Sequence, residues 1–182
     1  MFAAALACGV ACATAGEPVA PGELAVPGRL LMLRHAHAPG NGDPANFKLG
    51  DCSTQRNLDS AGREQARALG RRLAKAGIKR ARVYSSQWCR CLETAQLLGL
   101  GEPIPLPALN SFYPVPEERE PRLAELRRFL AAQAPDGPPL ILVTHQFTIS
   151  GLTEAGTPSG GGSVFQLNGS GSPRLIGSLA PE

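Results

Sequence analysis

Several features are scarce or missing in this 182-residue chain, and each absence removes a class of function. The apolar opening stretch, Phe2 to Ala15, is shorter than the ~20 residues a transmembrane helix needs, so no stable membrane span is expected. No C-x-x-C spacing occurs, which argues against a dithiol redox site. No carboxylate-rich cluster of the kind that holds magnesium is present, and neither a metal nor a cofactor is implied. There is no block of like charge: the formal charge is +3, and Arg71-Arg72 and Arg127-Arg128 each fall in an expected amphipathic helix, where a solvated face explains them better than nucleic acid does. Scattered arginines of this kind suit a small anionic substrate or inorganic phosphate. No signal for oligomer formation is present.

The length suits one domain with a sizeable core. Residues 1–15 are expected to be a signal peptide, 16–28 a flexible Pro/Gly-rich lead-in, and 29–182 the folded domain. The first segment is mostly Ala, has no charge between Phe2 and Ala15, and ends in the small-x-small sequence Ala13-Thr14-Ala15; only the positively charged start of a secretory signal is missing. Export, to a periplasm, is therefore expected, with lipid attachment at Cys12 a minor alternative. Cleavage would leave Cys52, Cys89 and Cys91, and an oxidising compartment favours one disulfide, Cys52 with Cys89 or Cys91. Cys89 and Cys91 lie two apart and point away from each other on a helix, so they do not pair together.

Along the chain, short apolar runs alternate with helical patterns. Arg29 to Leu33 reads as a buried strand, and residues 36–57, rich in Gly, Pro, Asn and Asp, as a long excursion of the lid or binding-loop kind. Asp59 or Ser60 can cap a first helix carrying Ala66, Leu69 and Leu73 before Gly77. A strand follows at 81–84, then a helix capped by Ser85-Ser86, a proline-spaced crossing from Pro103 to Pro116 with at most an edge strand, and a helix from Glu120 to Ala134. Pro139 to Val143 is the clearest buried strand, and two weaker strands span Ser163 to Leu167 and Arg174 to Leu179. This alternation predicts a three-layer α/β/α sandwich with a mainly parallel central sheet.

In such sheets ligands bind beyond the carboxyl ends of the strands. Three strands deliver suggestive residues there: Arg34-His35, then Ser85-Ser86 followed by Arg90, then Thr144-His145. Arginine's planar fork donates two parallel hydrogen bonds to phosphate oxygens. Neighbouring cations disfavour protonation of His35 and keep its imidazole nucleophilic, so the expected chemistry is covalent catalysis through a phosphohistidine, with His145 a further donor to the phosphoryl oxygens.

These pieces resemble the histidine phosphatase, or phosphoglycerate-mutase-like, superfamily. Arg34-His35 is similar to its Arg-His-Gly signature, with Ala36 for the glycine. The segment from Val83 to Ala95 resembles its Tyr-Ser-Ser-x-x-x-Arg-x-x-x-Thr-Ala block, Leu58 to Ala66 the opening of its first helix, and Thr144-His145 its second-histidine motif, with Gln146 where Gly, Asp or Asn is more familiar. The resemblance spans about residues 29 to 179 in family order. It implies a phosphoglycerate-mutase-like fold, a phosphorylated nucleophile at His35, and a phosphate pocket of Arg34, Arg90 and His145. It also points to Asn41, six after His35, as a substrate contact. His37, two after His35, is a further candidate contact.

The departure concerns the proton donor. One branch of the family places a glutamate after the third strand, where Leu109-Asn110-Ser111-Phe112-Tyr113 has none, and another an aspartate where Gln146 stands. Replacement acids to be tested are Glu117, Glu118, Asp43 and Asp51, the last attractive if a disulfide pins its loop over the pocket. The expected function is a metal-independent acid-type phosphatase acting on a small phosphomonoester, such as an envelope phosphosugar. The alternatives are a phosphohistidine-protein phosphatase and a noncatalytic phosphate- or phosphosugar-binding module.

Overall fold

The computed structural model describes residues 16–182; the expected signal segment, with Cys8 and Cys12, lies outside the described residues. Six strands form one sheet in the order β3-β2-β4-β1-β5-β6. They are β1 (Arg29–Arg34), β2 (Arg82–Ser85), β3 (Ile104–Pro105), β4 (Leu140–Thr144), β5 (Gly162–Gln166) and β6 (Arg174–Leu179). The first four run parallel, and β5 pairs antiparallel with both β1 and β6. Helices α1 (Ser60–Lys75), α2 (Cys89–Leu97), α3 (Arg119–Ala131) and α4 (Gln146–Thr153) complete the layers.

Apart from Arg29, Arg34 and Thr144 at their ends, the two central strands, β1 and β4, are apolar because both sheet faces are covered. Successive side chains alternate between faces. Leu31 and Leu33 therefore pack with Leu69, Leu73, Ile141 and Val143 on the α1/α2 side. Leu30 and Met32 pack with Leu126, Leu130, Leu142 and Phe165 on the α3 side. Each such fully buried side chain stabilises the fold by about 1.5–3 kcal/mol. This double anchorage holds the carboxyl ends of β1 and β4 side by side, with Arg34 in register with Thr144.

Asp59 is the cap of α1, its carboxylate accepting from the Gly62 N–H at 2.7 Å. The expected Ser85-Ser86 cap of α2 is corrected: α2 begins at Cys89 with Trp88 in the cap position and no side-chain cap. Ser86 is instead drawn inward to His145 and Asn110, and the Gln55 side chain accepts from the Cys89 N–H. Helix α3 stops at Ala131, ahead of the expected Ala134, with Pro135 close behind. Helix α4 is an addition to the expected elements, since its β-branched and Gly-containing sequence is a poor helix former; burial of Thr148 and Ile149 holds it in place. The lead-in, expected to be flexible, is docked: Leu24 joins the core and Pro18 bridges to Ser178 of β6.

The open choice of disulfide resolves to Cys52 with Cys89, leaving Cys91 a buried thiol. This bond ties the long excursion to the start of α2.

Gly70 lets α1 approach α2, since a Cβ there would lie 2.2 Å from the Leu98 carbonyl oxygen. Inside a helix, Ala is ordinarily better than Gly by about 1 kcal/mol. Here Gly70→Ala is expected to reverse that sign and lower the melting temperature by about 3–10 °C. A scan showing an unchanged or raised midpoint would contradict this close packing.

Candidate active site

His35 leaves the end of β1 and is 2 % exposed. Its N–H donates to the Thr144 carbonyl, and its own carbonyl accepts from the Gly160 N–H at 3.1 Å. Gly160 turns with a φ of +73°, a conformation that favours glycine. Gln65 of α1 braces the next step by accepting from the His37 N–H and donating to the Ser159 carbonyl. The imidazole Nδ1 lies 2.8 Å from the Ala36 carbonyl oxygen. A carbonyl can only accept, so Nδ1 carries the proton and Nε2 of the neutral ring holds the lone pair. Ala36, which replaces the resembled glycine, is itself fixed by donating its N–H to Thr94 Oγ1.

Burial lowers the His35 pKa to about 3; the Ala36 hydrogen bond works against this, while Arg90, Arg56 and Arg34 reinforce it. His145 lies with its ring centroid 5.6 Å away, edge to face. Its Nε2 sits 2.9 Å from Ser86 Oγ and 3.5 Å from the Cys91 thiol. Burial, then the nearby Arg90, holds this second imidazole well below its usual pKa. Burial also pushes the Cys91 thiol up to about 12, so it stays protonated at neutral pH. Asn110 completes the group, accepting from Ser86 Oγ at 3.2 Å and from the Gln87 N–H at 2.9 Å.

Three arginines line the same cleft, which has a volume of about 690 Å³. Arg34 donates to Gln146 Oε1 at 2.9 Å and to the Thr157 carbonyl. Gln146, at the position where some relatives carry an acid, thus orients an arginine. Arg90 grips Asp43 with both terminal nitrogens, at 2.7 and 3.2 Å. Arg56, near the end of the excursion, ties it to its own beginning by donating to the Gly42 and Ala38 carbonyls. Three positive charges against one carboxylate leave an excess of two, which matches a phosphoryl dianion.

The structure brings Arg34, His35, Arg90, His145, Asn41 and Asp43 together along this cleft. It does not bring the other candidates. His37 is exposed and pairs with Asp59 at 3.1 Å, away from the lining. Glu117 is exposed, Glu118 pairs with Arg122, and Asp51 caps the turn at Ser53. None of these three carboxylates lines the cleft. Asp43 does, but as an anchor for the excursion: it accepts from Arg90, from the Arg56 backbone and from Trp88 Nε1. Burial alone would raise its pKa, yet these hydrogen bonds outweigh burial and hold it below the usual carboxylate value. A carboxylate kept ionised in this way is a poor proton donor.

Sequence reasoning missed Arg56, Asn110, Ser111, Tyr113, Gln146 in its bonding role, and Phe147. Arg56 carried a usable signal, standing two residues before the recognised Leu58 block. The others depend on contacts between distant segments.

The sequence profile described as histidine phosphatase superfamily (branch 1) matches residues 30–112. Among curated proteins, none matches the chain. Solved structures share the fold. A phosphohistidine phosphatase SixA from Agrobacterium tumefaciens is 23% identical, with a TM-score of 0.58 over 86% of this chain and 99% of that one. A protein histidine phosphatase SixA complexed with tungstate is 15% identical, with a TM-score of 0.56 over 84% and 96%. A phosphoglycerate mutase from Thermus thermophilus is 20% identical, with a TM-score of 0.58 over 85% and 99%. The profile match covers the segment that holds Arg34, His35 and Arg90, so over residues 30–112 this chain is similar to the histidine phosphatase superfamily, branch 1.

Proposed function

We propose that this chain is a phosphatase that hydrolyses a small phosphorylated substrate through a phosphohistidine on His35. The observation that carries this reading is the hydrogen bond from His35 Nδ1 to the Ala36 carbonyl, which leaves Nε2 unprotonated in a cleft lined by three arginines. In the first step the Nε2 lone pair forms a bond to phosphorus, and the bond from phosphorus to the leaving atom breaks, its electron pair staying on that atom, which takes its proton from solvent. In the second, water attacks phosphorus, the P–N bond breaks, the water's proton is lost to solvent, and inorganic phosphate departs from a regenerated neutral imidazole. Arg34 and Arg90, with Arg56 beside them, neutralise the equatorial oxygens where charge gathers. His145 faces the same group, its Nε2 side held by Ser86. The balance of these steps calls for no metal.

A phosphohistidine-protein substrate is the second reading, favoured by one observation. Among the described residues lining the cleft, the single carboxylate is Asp43, and it is held ionised. A phosphoramidate makes less demand on an acid than an alkyl ester does. Export as the setting is supported by the Cys52–Cys89 disulfide, since oxidising compartments are where such bonds persist.

His35→Ala is expected to lower turnover of 4-nitrophenyl phosphate at least ~1,000-fold and to abolish an acid-labile phosphoryl-protein trapped by rapid quench. Turnover that survives this substitution would overturn the mechanism; phosphate binding without turnover in the native chain would make it a binding module.

The neutral histidines also set a pH dependence of stability. Unfolded, each takes up a proton near pH 6.5, whereas His35 stays neutral down to about 3 and His145 is shifted in the same direction. The unfolded state therefore binds more protons below pH 6.5, and stability falls as pH drops from 6.5 towards 3, by up to about 1.4 kcal/mol per pH unit for His35, with His145 adding in the same direction. Denaturant unfolding at stepped pH should show this slope, and His35→Asn should reduce it. An unaltered slope in that variant would contradict the assignment.

A further inference from the structure

We propose that the mouth of this cleft seats a planar unsaturated ring, so that the preferred substrates carry the phosphoryl group directly on such a ring; the inference rests on the phosphatase reading and names its substrate class. The chain has only six Phe, two Tyr and one Trp. Four of those nine, Phe47, Trp88, Tyr113 and Phe147, line this one cleft. They form two stacks. Phe47 lies on Trp88 with centroids 5.0 Å apart, and Trp88 in turn meets the His145 ring edge to face at 5.4 Å. Tyr113 lies on Phe147 at 5.2 Å and 11°. The first stack is packed inward, but Tyr113 is 57% exposed and Phe147 45%.

Single exposed aromatic residues need no explanation. A stacked, solvent-facing pair at the rim of an arginine-lined cleft is different, because aromatic faces offer offset or edge-to-face contacts to a further ring. Their place in the chain ties the pair to the phosphate end of the cleft. Phe147 follows His145 by two residues, and Gln146 between them holds Arg34. Tyr113 follows Asn110, which holds Ser86 beside His145.

The chemistry of departure points the same way. With Asp43 held ionised, the described residues that line the cleft offer no carboxylic acid to protonate an alkoxide. A phenolate leaves without one, since a phenol, ionising at ~10, is a far stronger acid than an alkyl alcohol. When the P–O bond of an aryl ester breaks, the electron pair stays on the aryl oxygen, which takes its proton from solvent. An imidazole-borne phosphoryl group shares the planar ring and the modest demand for an acid.

The test uses phosphonates, which bind without being hydrolysed, so it reads the rim even if turnover fails. Isothermal titration of the purified protein should show phenylphosphonate binding about three- to tenfold more tightly than methylphosphonate. Tyr113→Ala and Phe147→Ala should each shrink that ratio, and Tyr113→Phe should keep it. A native ratio near one, a ratio that persists in the double alanine variant, or an equal loss for both ligands would overturn the proposal. Turnover of phenyl phosphate against N-phosphoimidazole then separates the two ring sources. Absence of all turnover, with the phosphonate ratio intact, would sink the phosphatase reading and leave the ring seat standing.

Discussion

A buried imidazole can attack phosphorus only through a nitrogen that carries no proton, and in this chain that condition is met by a hydrogen bond between adjacent residues. His35 Nδ1 donates to the carbonyl of Ala36, and that carbonyl is held in place by everything around it. Ala36 donates its N–H to Thr94 of α2, the His35 carbonyl accepts from Gly160, and the His35 N–H donates to β4. The sheet core, the α1/α2 layer and the turn before β5 therefore converge on the tautomer of one ring. Burial and three nearby guanidinium groups then keep the ring neutral.

The same cations would repel one another in an apolar pocket, and the protein moderates this with Asp43. Burial, with Arg90 close by, holds Arg34 and Arg56 below the usual arginine pKa, yet both remain cations. Asp43 neutralises part of this excess while fastening the excursion to Arg90 and Trp88. The Cys52–Cys89 disulfide and the Gln55 contact to the Cys89 N–H secure the same excursion from the other side. A segment with almost no secondary structure is in this way built into a wall of the site.

Much of this is legible in the sequence. The strand ending in Arg34-His35, the Tyr84-to-Ala95 block and Thr144-His145 can be placed at one sheet edge, because apolar periodicity fixes strands and strands fix where their last residues lie. His37 is legible in part: two residues from His35 on an extended chain, it points away, as its exposure shows. Ser86 reads as a helix cap because local propensity favours that role, while its actual partners, His145 and Asn110, are 59 and 24 residues distant. Asp43 belongs near the site on either reading, but its chemistry differs from the expected acid. A carboxylate in a loop reads the same in sequence whether it will donate a proton or sit locked on an arginine, and only the contacts of Arg90 and Trp88 separate the two. Gln146 illustrates the converse, since a departure from the family pattern proves to be a different way of positioning Arg34.

The account stands on the protonation state of one ring, and nitrogen-detected NMR of selectively labelled histidine reads it directly. For His35 the account predicts a neutral imidazole with its proton on Nδ1, unchanged from pH 8 down to about pH 4, with protonation only as pH nears about 3. A His35 ring that titrates near 6.5, or a neutral ring with its proton on Nε2, would contradict it.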